Sequence, residues 1–109
     1  MSVRRAVFFA PQASQDLDDI LLYSARTWGR GQVERYAAAI NRVVDRTRQF
    51  PESGRDCETV LAGGRCVRCE HHLLYYTHDA ESVTVHRILH ERRQVSSSLF
   101  LDPDGDAPE

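Results

Sequence analysis

Apolar residues change their spacing along this chain, and the changes divide it into a short strand, two helices and a group of strands. Val3, Ala6, Val7, Phe8 and Phe9 form a compact apolar run, with Arg4 and Arg5 near its start and Pro11 behind it. That predicts a first strand over residues 3–10. Pro11 also suits the first turn of a helix, where a missing N–H costs nothing. Leu17, Ile20, Leu21, Ser24 and Trp28 then follow one helical face, and Asp16, Asp18 and Asp19 favour the positive N-terminal end, so a helix is expected over residues 13–28. Gly29-Arg30-Gly31 makes a tight link in which Gly29 can take the left-handed C-cap conformation, sending the next helix back antiparallel. Val33, Tyr36, Ala37, Ile40, Val43, Val44 and Thr47 keep a 3.6-residue period, with Glu34, Arg35, Arg42, Asp45, Arg46 and Arg48 largely on the other side, until Phe50-Pro51 stops the helix.

Residues 51–64, rich in Pro, Gly, Ser and acid, read as a loop, and loops of that length in compact domains are often functional. Three strands follow, over residues 65–70, 72–77 and 82–89, with turns near Glu70-His71 and His78 to Glu81. As a consecutive meander they should pair antiparallel. In a regular last strand Val83, Val85, Arg87 and Leu89 point one way and Thr84, His86, Ile88 and His90 the other. Residues 94–100 predict a short helix, with Val95, Leu99 and Phe100 docking back. The expected class is α+β: an N-terminal strand, an antiparallel two-helix hairpin and a three-stranded antiparallel meander, in one domain over residues 1–100. The segment 101–109 has two prolines, a glycine and four acids, and reads as a disordered acidic tail.

The length of 109 residues suits one core. No apolar run approaches the ~18 residues of a membrane span, and no secretory signal opens the chain, so a cytosolic protein without membrane partners is expected. The formal charge of −2 hides a mildly basic body, because Asp102, Asp104, Asp106 and Glu109 sit at the C-terminal end. All 14 cationic side chains are arginine, which excludes any mechanism needing a lysine nucleophile or base.

Taken in order, the element series β-α-α-β-β-β, Trp28-Gly29, Phe50-Pro51-Glu-Ser-Gly-Arg55, His72-Leu-Leu-Tyr-Tyr76 and Arg87-Ile-Leu-His90-Glu-Arg92 resemble the RelE/ParE family, and most of all its ParE branch. The resemblance spans about residues 3–95 and rests on the series rather than on any single motif. It implies the toxin half of a type II toxin-antitoxin pair, neutralised by an antitoxin of ribbon-helix-helix (ParD-like) type whose disordered C-terminal segment folds into the groove beside the helix hairpin. ParE-like members poison DNA gyrase, whereas RelE-like members cleave mRNA on the ribosome.

RNA cleavage without metal needs a base, a cation and an acid within hydrogen-bond reach. Arg65 or Arg68 can supply a cation and His90 a base, but Ser96-Ser97-Ser98 stand where the resemblance to RelE-like nucleases would place a tyrosine, and no tyrosine follows Tyr76. Binding without chemistry is therefore favoured over a RelE-type endoribonuclease or an inert family member, and no catalytic residue, metal or cofactor is assigned. Arg92 and Arg93, with His90 and Arg65, are the candidate target-gripping residues, and outward-facing Arg35, Arg42 and Arg46 suit an acidic antitoxin segment. Arg65 and Arg68 fall on opposite faces of a regular strand, so only one serves a given surface. Trp28, Tyr36, Tyr75 and Tyr76 read as core or rim aromatics.

Cys57, Cys66 and Cys69 are odd in number, so free thiols are expected rather than a disulfide framework. With His71 and His72 they suggest zinc, yet Cys-x-x-Cys on a straight strand aims its thiols apart. Buried small hydrophobes are the default reading of Cys66 and Cys69. Elemental analysis of the purified protein is expected to find no stoichiometric zinc; one equivalent per chain would overturn this reading.

Overall fold

The computed structural model describes residues 5–101; the first residues of the expected N-terminal strand and the acidic tail lie outside them. β1 (Ala6–Phe9) leads through Ala10 directly into α1 (Pro11–Trp28), with Pro11 in the first turn. Helix α1 therefore starts earlier than residue 13, and Asp16, Asp18 and Asp19 lie beyond its first turn, too far in to complement the helix end. Gly29 alone links α1 to α2 (Arg30–Gln49), with Gly31 already helical. Its φ of 92° is positive, as expected, but its ψ of 175° is extended rather than left-handed helical, a region open essentially to glycine alone. The Gly29 N–H donates to the Ala25 carbonyl and its own carbonyl accepts from Val33, so one residue closes both helices.

A 3₁₀ turn, Pro51–Ser53, follows α2 and leads into β2 (Arg55–Asp56). The remaining strands are β3 (Arg65–Cys69), β4 (His72–His78) and β5 (Ser82–His90), and a second 3₁₀ turn covers Ser97–Phe100 where a short helix is expected. The sheet order is β1-β5-β4-β3-β2. The meander β3-β4-β5 is antiparallel as predicted, β1 pairs parallel with β5, and the two-residue β2 turns the expected loop into a partner for β3.

Both helices pack on one face of this sheet. Ala13, Tyr36, Ala39 and Ile40 meet Cys69, Leu74, Val85 and Ile88, with Leu17, Ile20, Leu21, Val43 and Val44 around them. The other face carries a smaller core of Cys66, Tyr75 and Leu89, covered by Val60 and Leu61 from the 57–64 loop and by Val95, Leu99 and Phe100. The alternation expected for the last strand fails midway. Tyr75 faces Arg87 and Tyr76 faces Val85, which leaves His86 as an extra residue in a bulge. The bulge resets the parity: Val85 and Ile88 both enter the helix-side core, while Leu89 enters the opposite one.

β1 stops at Phe9, so the edge of β5 beyond Val85 has no strand beside it. The Asp16 carboxylate of α1 takes over, accepting the Ile88 N–H at 3.0 Å and both arms of the Arg87 guanidinium at 2.7 and 2.9 Å. Arg87 also donates to the Leu99 carbonyl at 2.7 Å, so one side chain ties β5 to α1 and to the C-terminal cover. Both partners are only 14% exposed. A bidentate pair this buried is costly to halve, and Asp16→Ala should destabilise the fold by about 3 kcal/mol in urea unfolding; a loss within ~0.5 kcal/mol would show the pair to be peripheral.

Candidate functional site

The end of the sheet nearest the helix link forms a groove. The β3–β4 turn, where Glu70 takes a φ of 56°, and the last residue of β5 make one wall; the end of α1 and the start of α2 make the other. The cavity measures about 490 Å³ and is lined by Tyr23, Trp28, Tyr36, His71, His72 and His90 among others. Tyr23 and Trp28 are about two-thirds exposed, although the helical spacing places Trp28 on the packed face. Trp28 closes the face at its far end, beyond the reach of the sheet, and so becomes rim rather than core.

The groove floor is a chain of paired rings. The Tyr36 hydroxyl lies 2.5 Å from His72 Nδ1 and 3.3 Å from the Cys69 carbonyl. His72 meets His90 edge-on with centroids 5.3 Å apart, and His71 stacks on His90 at 6.5 Å. Burial holds the Tyr36 phenol neutral, well above its ordinary range, and burial followed by the neighbouring His90 and His71 lowers the His72 pKa. A neutral phenol and an imidazole that resists protonation therefore share a hydrogen bond. Beside them Glu91 pairs with Arg68 and lies 3.1 Å from His71 Nδ1, and these contacts, Arg68 first, hold its carboxyl down to about 2.

His90 Nδ1 accepts the Arg92 N–H at 3.1 Å, and the His90 carbonyl accepts the Arg93 N–H at 2.9 Å. The His90 ring thus carries its proton on Nε2 and has no free lone pair to abstract another. His72 Nδ1 is bonded to the Tyr36 hydroxyl, so both rings are fixed in orientation by internal hydrogen bonds. Arg92 and Arg93 are exposed on the turn that His90 pins, and among the described residues neither guanidinium has a hydrogen-bond or ion-pair partner.

The other candidates are distributed. Arg65 sits opposite Tyr76 in the β3–β4 register, four residues or about 13 Å along the sheet from the Cys69–His72–His90 row. Its Nη1 donates to the Gly54 carbonyl at 2.8 Å, which ties it to the 3₁₀ turn instead of to Arg92 and Arg93. Arg35, Arg42 and Arg46 are exposed at i, i+7 and i+11 on α2, one stripe of the helix surface. The cysteine-histidine cluster is split by the sheet: Cys69 lies on the helix side, Cys66 in the opposite core with Cys57 beside it. Tyr36 and Tyr76 are helix-side core and Tyr75 belongs to the second core. Sequence reading passed over Tyr23, the Tyr36–His72 bond and Glu91; the pair His71-His72 was visible, but only pairing with β5 brings His90 against it.

Residues 7–95 match the family described as the ParE toxin of type II toxin-antitoxin systems, parDE. Among curated relatives, Toxin ParE of Escherichia coli is 33% identical over 95 residues, covering 86% of this chain and 92% of the relative. Toxin ParE1 of Mycobacterium tuberculosis is 31% identical over 91 residues, covering 83% and 93%, and Toxin ParE1 of Caulobacter vibrioides is 30% identical over 88 residues, covering 81% and 91%. A chain from the chromosomal ParDE system of P. aeruginosa superposes with a TM-score of 0.67 at 17% identity, covering 80% of this chain and 96% of that one.

His72 and His86 both resist protonation, each chiefly through burial. An unfolded histidine takes its proton near 6.5, so below that value the unfolded chain binds more protons than the folded one. The stability they contribute is complete above about 6.5 and is lost as the pH falls toward the lower folded values. The urea midpoint should therefore decline between pH 7 and pH 5, and more shallowly in His72→Gln/His86→Gln; an unchanged slope in the double variant would assign the acid sensitivity elsewhere.

Proposed function

Because the chain belongs to the ParE toxin family of type II toxin-antitoxin systems, we propose that it arrests growth in the cytoplasm by binding and poisoning DNA gyrase. In this reading it grips its target without making or breaking covalent bonds. The observation that carries it is the pair Arg92 and Arg93: exposed, unpaired among the described residues, and set on a turn fixed by His90. The fixed turn presents both guanidinium groups on one surface, where they can form charge-assisted hydrogen bonds with carboxylates or phosphates, which are among the stronger polar contacts. The His90 Nδ1 lone pair is spent on the Arg92 N–H, which supports binding over a RelE-type nuclease.

The restraining partner in this reading is a ribbon-helix-helix, ParD-like antitoxin. Its C-terminal segment folds against the groove lined by Tyr23, Trp28 and Tyr36, with acidic residues meeting the Arg35, Arg42 and Arg46 stripe. The product is a hetero-oligomer without cofactor or metal. No helix among the described residues is long and apolar enough to cross a membrane.

Arg92→Ala/Arg93→Ala should relieve growth inhibition while the variant still co-purifies with antitoxin. In a gyrase supercoiling assay the wild-type protein should yield cleaved plasmid, suppressed by antitoxin and absent with the double variant. Site-specific cleavage of translated mRNA with supercoiling untouched would overturn the reading.

A further inference from the structure

The second face of the sheet holds two thiols in contact. β2 and β3 pair Arg55 with Cys66 and Asp56 with Arg65, and the Cys57 N–H continues the ladder to the Gly64 carbonyl at 2.9 Å. Alternation puts Arg55, Cys57 and Cys66 on the same face. Cys57 and Cys66 are thus diagonal neighbours across a twisted two-strand ribbon, with sulfurs 3.0 Å apart. A disulfide needs about 2.05 Å, so closure asks for roughly an ångström of movement at the end of a short loop. Cys66 is 2% exposed, whereas Cys57 is half-buried and reachable from solvent. Arg55 Nη2 lies 3.6 Å from the Cys66 sulfur. Cys69 is buried on the opposite face, away from both.

We propose that Cys57 and Cys66 form a peroxide-oxidisable dithiol site whose disulfide clamps the 57–64 loop onto the second core. The Cys57 thiolate attacks a hydroperoxide, forming an S–O bond as the O–O bond breaks; Cys57 becomes a sulfenic acid and the alcohol or water leaves. Cys66 then attacks the Cys57 sulfur, the S–S bond forms, and the hydroxyl departs as water with the second thiol's proton. Each peroxide thus accepts the two electrons of one disulfide. The bond encloses Val60 and Leu61, which already pack against Leu73 and Phe100 through this core, and so ties down the loop that separates β2 from β3. Burial and the hydrogen bond to Cys66 raise the Cys57 pKa to about 11, so its thiolate is scarce at neutral pH, and oxidation, slow at pH 7, should quicken about tenfold per pH unit between 7 and 9.

The arginine pattern makes the test direct, since trypsin places the three cysteines on separate peptides, 56–65, 66–68 and 69–87. After the full-length protein is treated with hydrogen peroxide, alkylated and digested without reduction, peptides 56–65 and 66–68 should appear joined and two hydrogens lighter than their sum, with 69–87 alkylated. The oxidised protein should also unfold at a higher temperature, and dithiothreitol should reverse both changes. Cys57→Ser, at the more exposed position, should keep Cys66 alkylatable after peroxide and abolish the temperature shift. Sulfinic acid on Cys57 with Cys66 still alkylatable, a cross-link containing 69–87, or an oxidised form that unfolds at or below the reduced temperature would overturn the proposal.

Discussion

The Arg87–Asp16 pair joins the three layers of this molecule. The parallel strand β1 is too short to accompany β5 to its end, and the chain turns at Pro11 into a helix. A β5 edge left bare beside an apolar core would carry unsatisfied amide groups. Asp16 meets that need from one turn and a half into α1, accepting a backbone N–H and a guanidinium fork at once. Arg87, in turn, reaches a carbonyl of the C-terminal cover. The helix hairpin, the sheet and the 95–100 segment are thereby fixed against one another by a single ionic contact, and the pose of the hairpin over the end of β5 sets the width of the groove.

At that end of the sheet, rigidity and exposure are divided between residues. Tyr36, His72 and His90 satisfy one another or the backbone and hold the wall in place. Glu91 absorbs Arg68 and the exposed His71. Arg92 and Arg93 are left to face solvent with fixed backbones. The wall of the groove is thus held by internal contacts, and its positive charge is offered outward.

Long periodic segments were legible in the sequence because a helix face or an alternating strand repeats its evidence several times. The α2 stripe, the three meander strands and the stop at Phe50-Pro51 needed no tertiary information. The failures share one cause, dependence on a partner strand. Arg55-Asp56 is polar and exposed, with only two residues in register, so nothing in its composition marks it as β2. The bulge at His86 follows from pairing with β4 and moves Ile88 to the face opposite to that expected from simple alternation. The bond from Arg65 to Gly54 likewise has no sequence signal, because it depends on how the 3₁₀ turn folds back. The Cys57–Cys66 contact is hidden for the same reason as β2, since the ribbon that creates it has the composition of a loop.

The parallel pairing of β1 with β5 joins Ala6 to Ser82 and Phe9 to Val85, the first described strand to the last. Antiparallel hairpins close as soon as their two arms exist, whereas this contact joins strands separated in sequence by both helices and by every other strand of the sheet. During synthesis the N-terminal strand must wait, unpaired, until β5 has left the ribosome. The Asp16–Arg87 lock closes later still, so the folded form of the chain is withheld until all of β5 has emerged.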